Sequence, residues 1–125
     1  TRFVCTVECD VAAEFKQAYL DAREEDIVII DSPVGMPGRA INTPFVRKMN
    51  SGEDVSTKEC KYKCLKKCSY RYCISDRLIR ACAGDVEEGL VFSGANTFKM
   101  KEILPVREIF NRFVKEAESV YRENK

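Results

Sequence analysis

Histidine is missing from all 125 residues of the chain. Without an imidazole these residues offer no mixed cysteine–histidine zinc site and no histidine-based general acid or base. No run approaches the roughly 20 apolar residues that a bilayer crossing needs, so no membrane-spanning segment is expected. A strong excess of charge is lacking too, since 21 basic and 20 acidic residues leave a net charge of +1. Chains held to nucleic acid through its phosphates are usually more basic, which argues against that partner. There is no start methionine and no secretory signal; Thr1-Arg2-Phe3-Val4 runs straight into an alternating pattern. The expectation is a segment from within a longer polypeptide. No internal repeat or low-complexity stretch is found.

What is present suits one compact domain with a modest core. Seven cysteines are many and odd in number, and they crowd between Cys60 and Cys82, with Cys5 and Cys9 outlying. A secreted disulfide scaffold uses even numbers at wide spacings, so reduced thiols and a cytoplasmic location are expected. Phe3 to Val7 alternate and predict a strand. Asp10 is a candidate cap for a helix in which Val11, Phe15, Ala18, Tyr19 and Ala22 share one face. Ile27 to Ile30 predict a strand buried on both sides. Ser32 to Thr43, with Pro33, Gly35, Pro37 and Gly38, predict a shaped loop, and Phe45, Val46 and Met49 a short helix ended by Asn50-Ser51-Gly52.

Ser56 and Glu59 fit a capping box opening a helix through the cysteines. Ser75 or Asp76 caps a further helix ending near Gly84. Leu90-Val91-Phe92 predict a third strand. From Pro105, the residues Val106, Ile109, Phe110, Phe113, Val114, Ala117, Val120 and Tyr121 trace an amphipathic stripe.

Four places carry candidate chemistry. Cys60, Cys64, Cys68 and Cys73 would align on a helix and hold zinc or an iron–sulfur cluster, or else they are small thiols on that helix's inner face. Lys58, Lys61, Lys63, Lys66, Lys67 and Arg71, interleaved with tyrosines, read as a single-strand binding surface or as a solvated helix face. The loop Pro33 to Ile41 presents Arg39, a fork of donors for an anionic or nitro-like group, or a structural turn with Arg39 paired to a carboxylate. Ser93-Gly94-Ala95-Asn96 follows a strand end, a common place for a pocket wall.

Read in order, Thr1-Arg2-Phe3, Phe15-Lys16-Gln17-Ala18-Tyr19-Leu20-Asp21-Ala22, Ser32 to Ala40 and Gly89 to Gly94 resemble the nitronate monooxygenase (2-nitropropane dioxygenase) family. That family is related to flavin-dependent enoyl-acyl-carrier-protein reductases. The likeness runs nearly the whole chain and rests on the series of segments. It implies an α/β fold: the C-terminal part of an FMN-binding (β/α)8 TIM barrel, mostly its small inserted α+β domain plus the last barrel helix. Residues 1–9 would be the end and exit of the last barrel strand, 10–103 the small domain, and 104–125 the barrel-covering helix. Thr1 would stand at the flavin phosphate, Gly94 and Asn96 at the substrate, and Arg39 would match a recurrent arginine. The parent would be an FMN-dependent oxidoreductase acting on a nitronate or a related small molecule. The glycine-rich phosphate strands and any catalytic histidine would lie before Thr1. The partner implied is the remainder of the barrel, without which the segment is not expected to be active. The alternative is a cysteine-ligated metal or partner-interaction module.

Overall fold

A computed structural model of the chain describes residues 2–124. Four α-helices and one two-stranded antiparallel sheet make up its regular structure. The order is α1 (Ala13–Asp21), β1 (Ile27–Asp31), β2 (Pro37–Ile41), α2 (Pro44–Asn50), α3 (Ile74–Cys82) and α4 (Val106–Glu123), with short 3₁₀ turns at Glu24–Asp26 and Thr97–Lys99.

Strand β1 pairs with β2 so that Ile27 faces Ile41 and Asp31 faces Pro37. The connection between them is tight, with Gly35 at φ 83° supplying the left-handed residue. Two expectations are corrected here. Residues 37–41 were expected to lie in an irregular loop, yet they form β2; proline tolerates the first strand position, and Gly38 leaves room for the Phe92 ring, which a Cβ would meet at 2.6 Å. Strand β1 is covered on one side only, since Ile30 is buried while Ile29 is 56% exposed.

The third expected strand shrinks to a single bridge, Ala40 to Phe92, flanked by Ile41 N–H to the Val91 carbonyl (2.9 Å) and Ser93 N–H to the Arg39 carbonyl (2.9 Å). Phe3 to Val7 form turns instead of a strand, joined at Thr6 to Leu104 by one parallel bridge. Helix α1 begins after Ala12, whose N–H is bound to the Cys82 carbonyl, so Asp10 does not cap it. Helix α3 begins after Cys73, ahead of both Ser75 and Asp76.

Two adjoining cores result. Phe15, Tyr19 and Ala22 of α1 meet Cys5, Ile41, Ala81 and Val91. Phe45, Val46 and Met49 of α2 meet Ile30, Ala40, Tyr72 and Leu90. The sheet and the Leu90–Phe92 segment lie between them. Thr43 fixes α2: its hydroxyl accepts from Val46 N–H (3.4 Å) and donates to the Gly89 carbonyl (3.1 Å). Of the α4 stripe only Ile109 is buried; Phe110, Val114, Val120 and Tyr121 are exposed. Among the described residues no helix is long and apolar enough to cross a membrane.

The expected helix through the cysteines is absent. From Ser51 to Cys73 the described chain holds neither helix nor strand. Spacing of four matches a helix, but Lys61, Lys63, Lys66 and Lys67 surround the cysteines, leaving Leu65 the only aliphatic residue between Cys60 and Cys73 to pack such a helix down.

Candidate functional site

The segment after Phe92 is held from below. The Tyr19 hydroxyl, on α1 and 3% exposed, donates to the Phe92 carbonyl. Burial, with nearby thiols adding to it, pushes the Tyr19 phenol up to about 12, so it remains a donor at neutral pH. Beyond Phe92, Gly94 N–H donates to Thr97 Oγ1 (3.0 Å) and the Thr97 hydroxyl returns to the Gly94 carbonyl (2.8 Å). Thr97 is buried, so this reciprocal pair fixes the turn and leaves Ala95 and Asn96 exposed at its tip.

That turn borders an open cleft of about 430 Å³, lined by Arg2, Gly94, Ala95, Asn96, Thr97, Lys99 and Met100. It adjoins a smaller recess of about 100 Å³ that shares Arg2, Lys99 and Met100 and adds Cys5, Lys101 and Arg112 among its walls. The amino-terminal strip and the 94–100 turn therefore meet at one place, brought there by the Thr6 to Leu104 bridge and by Val7 N–H to the Leu104 carbonyl (3.1 Å).

The rim is cationic. Arg112 is neutralised by Glu102 (2.7 Å) and Glu108 (3.3 Å), while Arg2 stacks on Phe113 (4.6 Å) and only loosely approaches Glu116 (3.6 Å). Lys99 lies 5.7 Å from the Phe98 ring centroid and forms no ion pair among the described residues. Arg2 and Lys99 thus leave positive charge for an anionic ligand. Ser93 Oγ, one residue before the turn, is buried and has no hydrogen-bond partner among the described residues, the condition a missing ligand or neighbouring segment would satisfy.

Of the predicted site residues, Gly94 and Asn96 line the cleft. Thr1 lies outside the described residues. Arg39 is exposed on β2 and does not line the cleft; its backbone carbonyl, not its guanidinium, supports the site by holding Ser93 N–H. Cys60, Cys64, Cys68 and Cys73 are free thiols, and among the described residues no group of three or more histidine, cysteine, aspartate or glutamate side chains is arranged to hold a metal. Arg2, Lys99 and Thr97 were not singled out beforehand. A Gly-x-x-Thr spacing at a strand end was the available sign for Thr97.

Fold and cleft together define a small mixed helix-and-sheet unit presenting an anion-suited pocket wall. The chain belongs to the nitronate monooxygenase family, whose model matches residues 1–116. The structure is similar to that of FabK from Thermotoga maritima, with a TM-score of 0.76 and 28% identity over 98% of this chain and 36% of that one. It is also similar to a point mutant of that protein, with a TM-score of 0.73 and 27% identity over 98% of this chain and 34% of the other. The chain spans about a third of the length of these solved structures. Comparison with curated proteins gave no match.

Proposed function

We propose that the chain is part of an FMN-dependent oxidoreductase built on a (β/α)8 barrel and acting on a nitronate or a related small anion. One observation carries this reading: Arg2, adjoining the expected phosphate contact Thr1, lines the same cleft as Gly94 and Asn96, more than ninety positions away.

The residues fit such a cofactor and substrate. Arg2, and Thr1 beside it, would hold the phosphate, and the Gly94 backbone would let a flat ring approach closely. Asn96 offers both donor and acceptor to a substrate oxygen, and Lys99 offsets its negative charge. FMN, when bound, supplies the redox chemistry by taking up the substrate's reducing equivalents. The general base comes from outside these residues, which contain no histidine and place no carboxylate among the residues lining the larger cleft.

The partner proposed is the rest of the barrel. Phe110, Val114, Val120 and Tyr121 of α4, with Phe3 and Val7, leave an apolar face that such a partner covers. Seven free thiols accord with a reducing, cytoplasmic setting.

The test is to purify the full-length protein and measure bound flavin, then turnover of an alkyl nitronate. A yellow protein whose Asn96→Ala variant keeps its flavin but shows a KM raised about tenfold supports the reading. A colourless protein that takes up no FMN rejects it. Turnover of an enoyl thioester in place of the nitronate would keep the flavin and move the substrate to the related reductase class.

A further inference from the structure

We infer, resting on the flavoprotein reading above only for the identity of the anion, that Thr97 is the positioning residue of the cleft. Its buried hydroxyl sets where Asn96 and Lys99 stand, so that both reach one small anion. The anion is met by those two side chains, and Thr97 acts through them.

The chain at the cleft is pinned on both sides of a short gap. Upstream, the Tyr19 hydroxyl donates to the Phe92 carbonyl and Ser93 N–H to the Arg39 carbonyl (2.9 Å). Downstream, Met100 packs against the first core and its N–H donates to the Thr97 carbonyl (2.9 Å). Gly94, Ala95 and Asn96 lie between these pins, and all three line the cleft. Thr97 closes the gap. Its Oγ1 accepts Gly94 N–H (3.0 Å) and donates to the Gly94 carbonyl (2.8 Å), and its own N–H reaches the same carbonyl (3.2 Å). Lys99 N–H donates to the Asn96 carbonyl (3.1 Å), so Asn96 and Lys99 flank Thr97 within one bonded turn.

A purely architectural account fits Thr97 less well than it fits Thr43. The Thr43 hydroxyl fixes α2, which carries Phe45, Val46 and Met49 into the second core. Thr97, 1% exposed, gives both of its side-chain bonds to a turn whose tip, Ala95-Asn96, is exposed and belongs to neither core. A hydroxyl taken out of water needs such bonds merely to break even, so little packing is gained by placing it there. What the tip presents is polar and uncommitted. The Asn96 side chain makes no capping bond to the turn it precedes, and Lys99 forms no ion pair among the described residues. An amide and an ammonium grip one anion together only at a fixed separation; a misplacement of about 1 Å costs up to about a hundredfold where geometry is exacting.

Thr97→Val keeps the side chain's volume and removes both of its bonds, whereas Thr97→Ser keeps the hydroxyl. Each is made in the full-length protein, alone and combined with Asn96→Ala. The probe is inorganic nitrate, planar and singly charged, titrated by calorimetry, and kinetics with an alkyl nitronate follow. Thr97→Val should raise the nitrate Kd and the nitronate KM about tenfold with kcat within about twofold, and Thr97→Ser should restore both to within about threefold of the parent. In the Asn96→Ala background the same Thr97→Val change should cost no more than about threefold, because the side chain it positions is already gone. In the parent, saturating nitrate should slow amide exchange across residues 94–99 by at least about threefold, a readout that needs no variant to fold. A parent that binds no nitrate or shows unchanged exchange overturns the proposal. So does a Thr97→Val variant that binds nitrate like the parent, or one whose loss is the same with and without Asn96. A full-length protein without flavin rejects the flavoprotein reading, while the nitrate titration still decides the role of Thr97.

Discussion

Replacing Tyr19 by phenylalanine tests how the core supports the cleft. The substitution keeps the ring against Phe15 (centroids 5.4 Å apart) and removes only the hydroxyl. The Phe92 carbonyl, which the hydroxyl serves in the interior, then loses its donor. Leaving a buried acceptor unpaired costs about 1–2 kcal/mol, so near pH 8 the variant should be less stable by that amount. The phenol's high value, about 12 from its ordinary 10, makes the deficit pH-dependent. A folded-state pKa raised above the unfolded one gives stability that is complete below pH 10 and is lost as pH rises toward 12. At pH 11 the parent has lost about 1.4 kcal/mol that the phenylalanine variant never had to lose. The two proteins should therefore approach equal stability near pH 11. Urea midpoints of both at pH 8 and pH 11 measure this, with tyrosinate absorbance following the late-titrating phenol. An unchanged gap between the two pH values, or a variant as stable as the parent at pH 8, would refute the reasoning.

Glu8 accepts Val106 N–H with both carboxylate oxygens (3.0 and 2.9 Å) and so caps α4 from ninety-eight residues away. Glu8→Ala should cost about 1 kcal/mol, with faster amide exchange confined to the first turn of α4. A Cβ at Gly89 would fall 2.5 Å from the Asp85 carbonyl oxygen and 2.7 Å from the Ala81 Cα, both backbone atoms. Gly89→Ala should therefore destabilise by about 1–3 kcal/mol in thermal melts and loosen the start of the Leu90–Phe92 segment. Glu88 is held below its ordinary range by its hydrogen bond from Lys48 (2.6 Å), aided by Arg77 (2.9 Å). A depressed carboxylate gives stability present above its unfolded pKa and lost as pH falls through the folded one. Glu88→Gln should accordingly flatten the acid side of the stability curve below about pH 4.5, read by melts across that range.

The helices were legible where an apolar face and a boundary agreed. Phe45, Val46 and Met49 ahead of the Asn50-Ser51-Gly52 break announced α2, and Pro105 before the long stripe announced α4. The sheet was less so, because β2 reads Pro-Gly-Arg-Ala-Ile, and it is the pairing with β1 and the approach of the Phe92 ring, fifty-four positions beyond Gly38, that make a strand of it. The cysteine segment misled for a sharper reason. A spacing of four is the helical signature whether the repeated residue packs or binds, and these thiols belong to no packed face. Gly94 and Asn96 were marked by the strand end before them, and family likeness added the substrate role. Arg2 and Lys99 went unnoticed because nothing local shows that the two ends of the sequence meet.

The same long-range closure explains why α4 is amphipathic yet largely bare. Its first turn is fixed by Glu8, and Ile109 reaches the recess beneath Arg2 and Met100. From Phe110 onward, however, Phe3 stacks on Phe110 and Arg2 on Phe113, while Val114, Val120 and Tyr121 are exposed. A helix of eighteen residues gains little from its own hydrogen bonds without a buried face, and its regular stripe accords with the covering partner proposed above. The smaller recess beside the open cleft takes Ile109 and Arg112 from that helix. The stripe and the cationic rim meet at Arg2, which stacks on Phe113 of α4 and lines the cleft with Lys99.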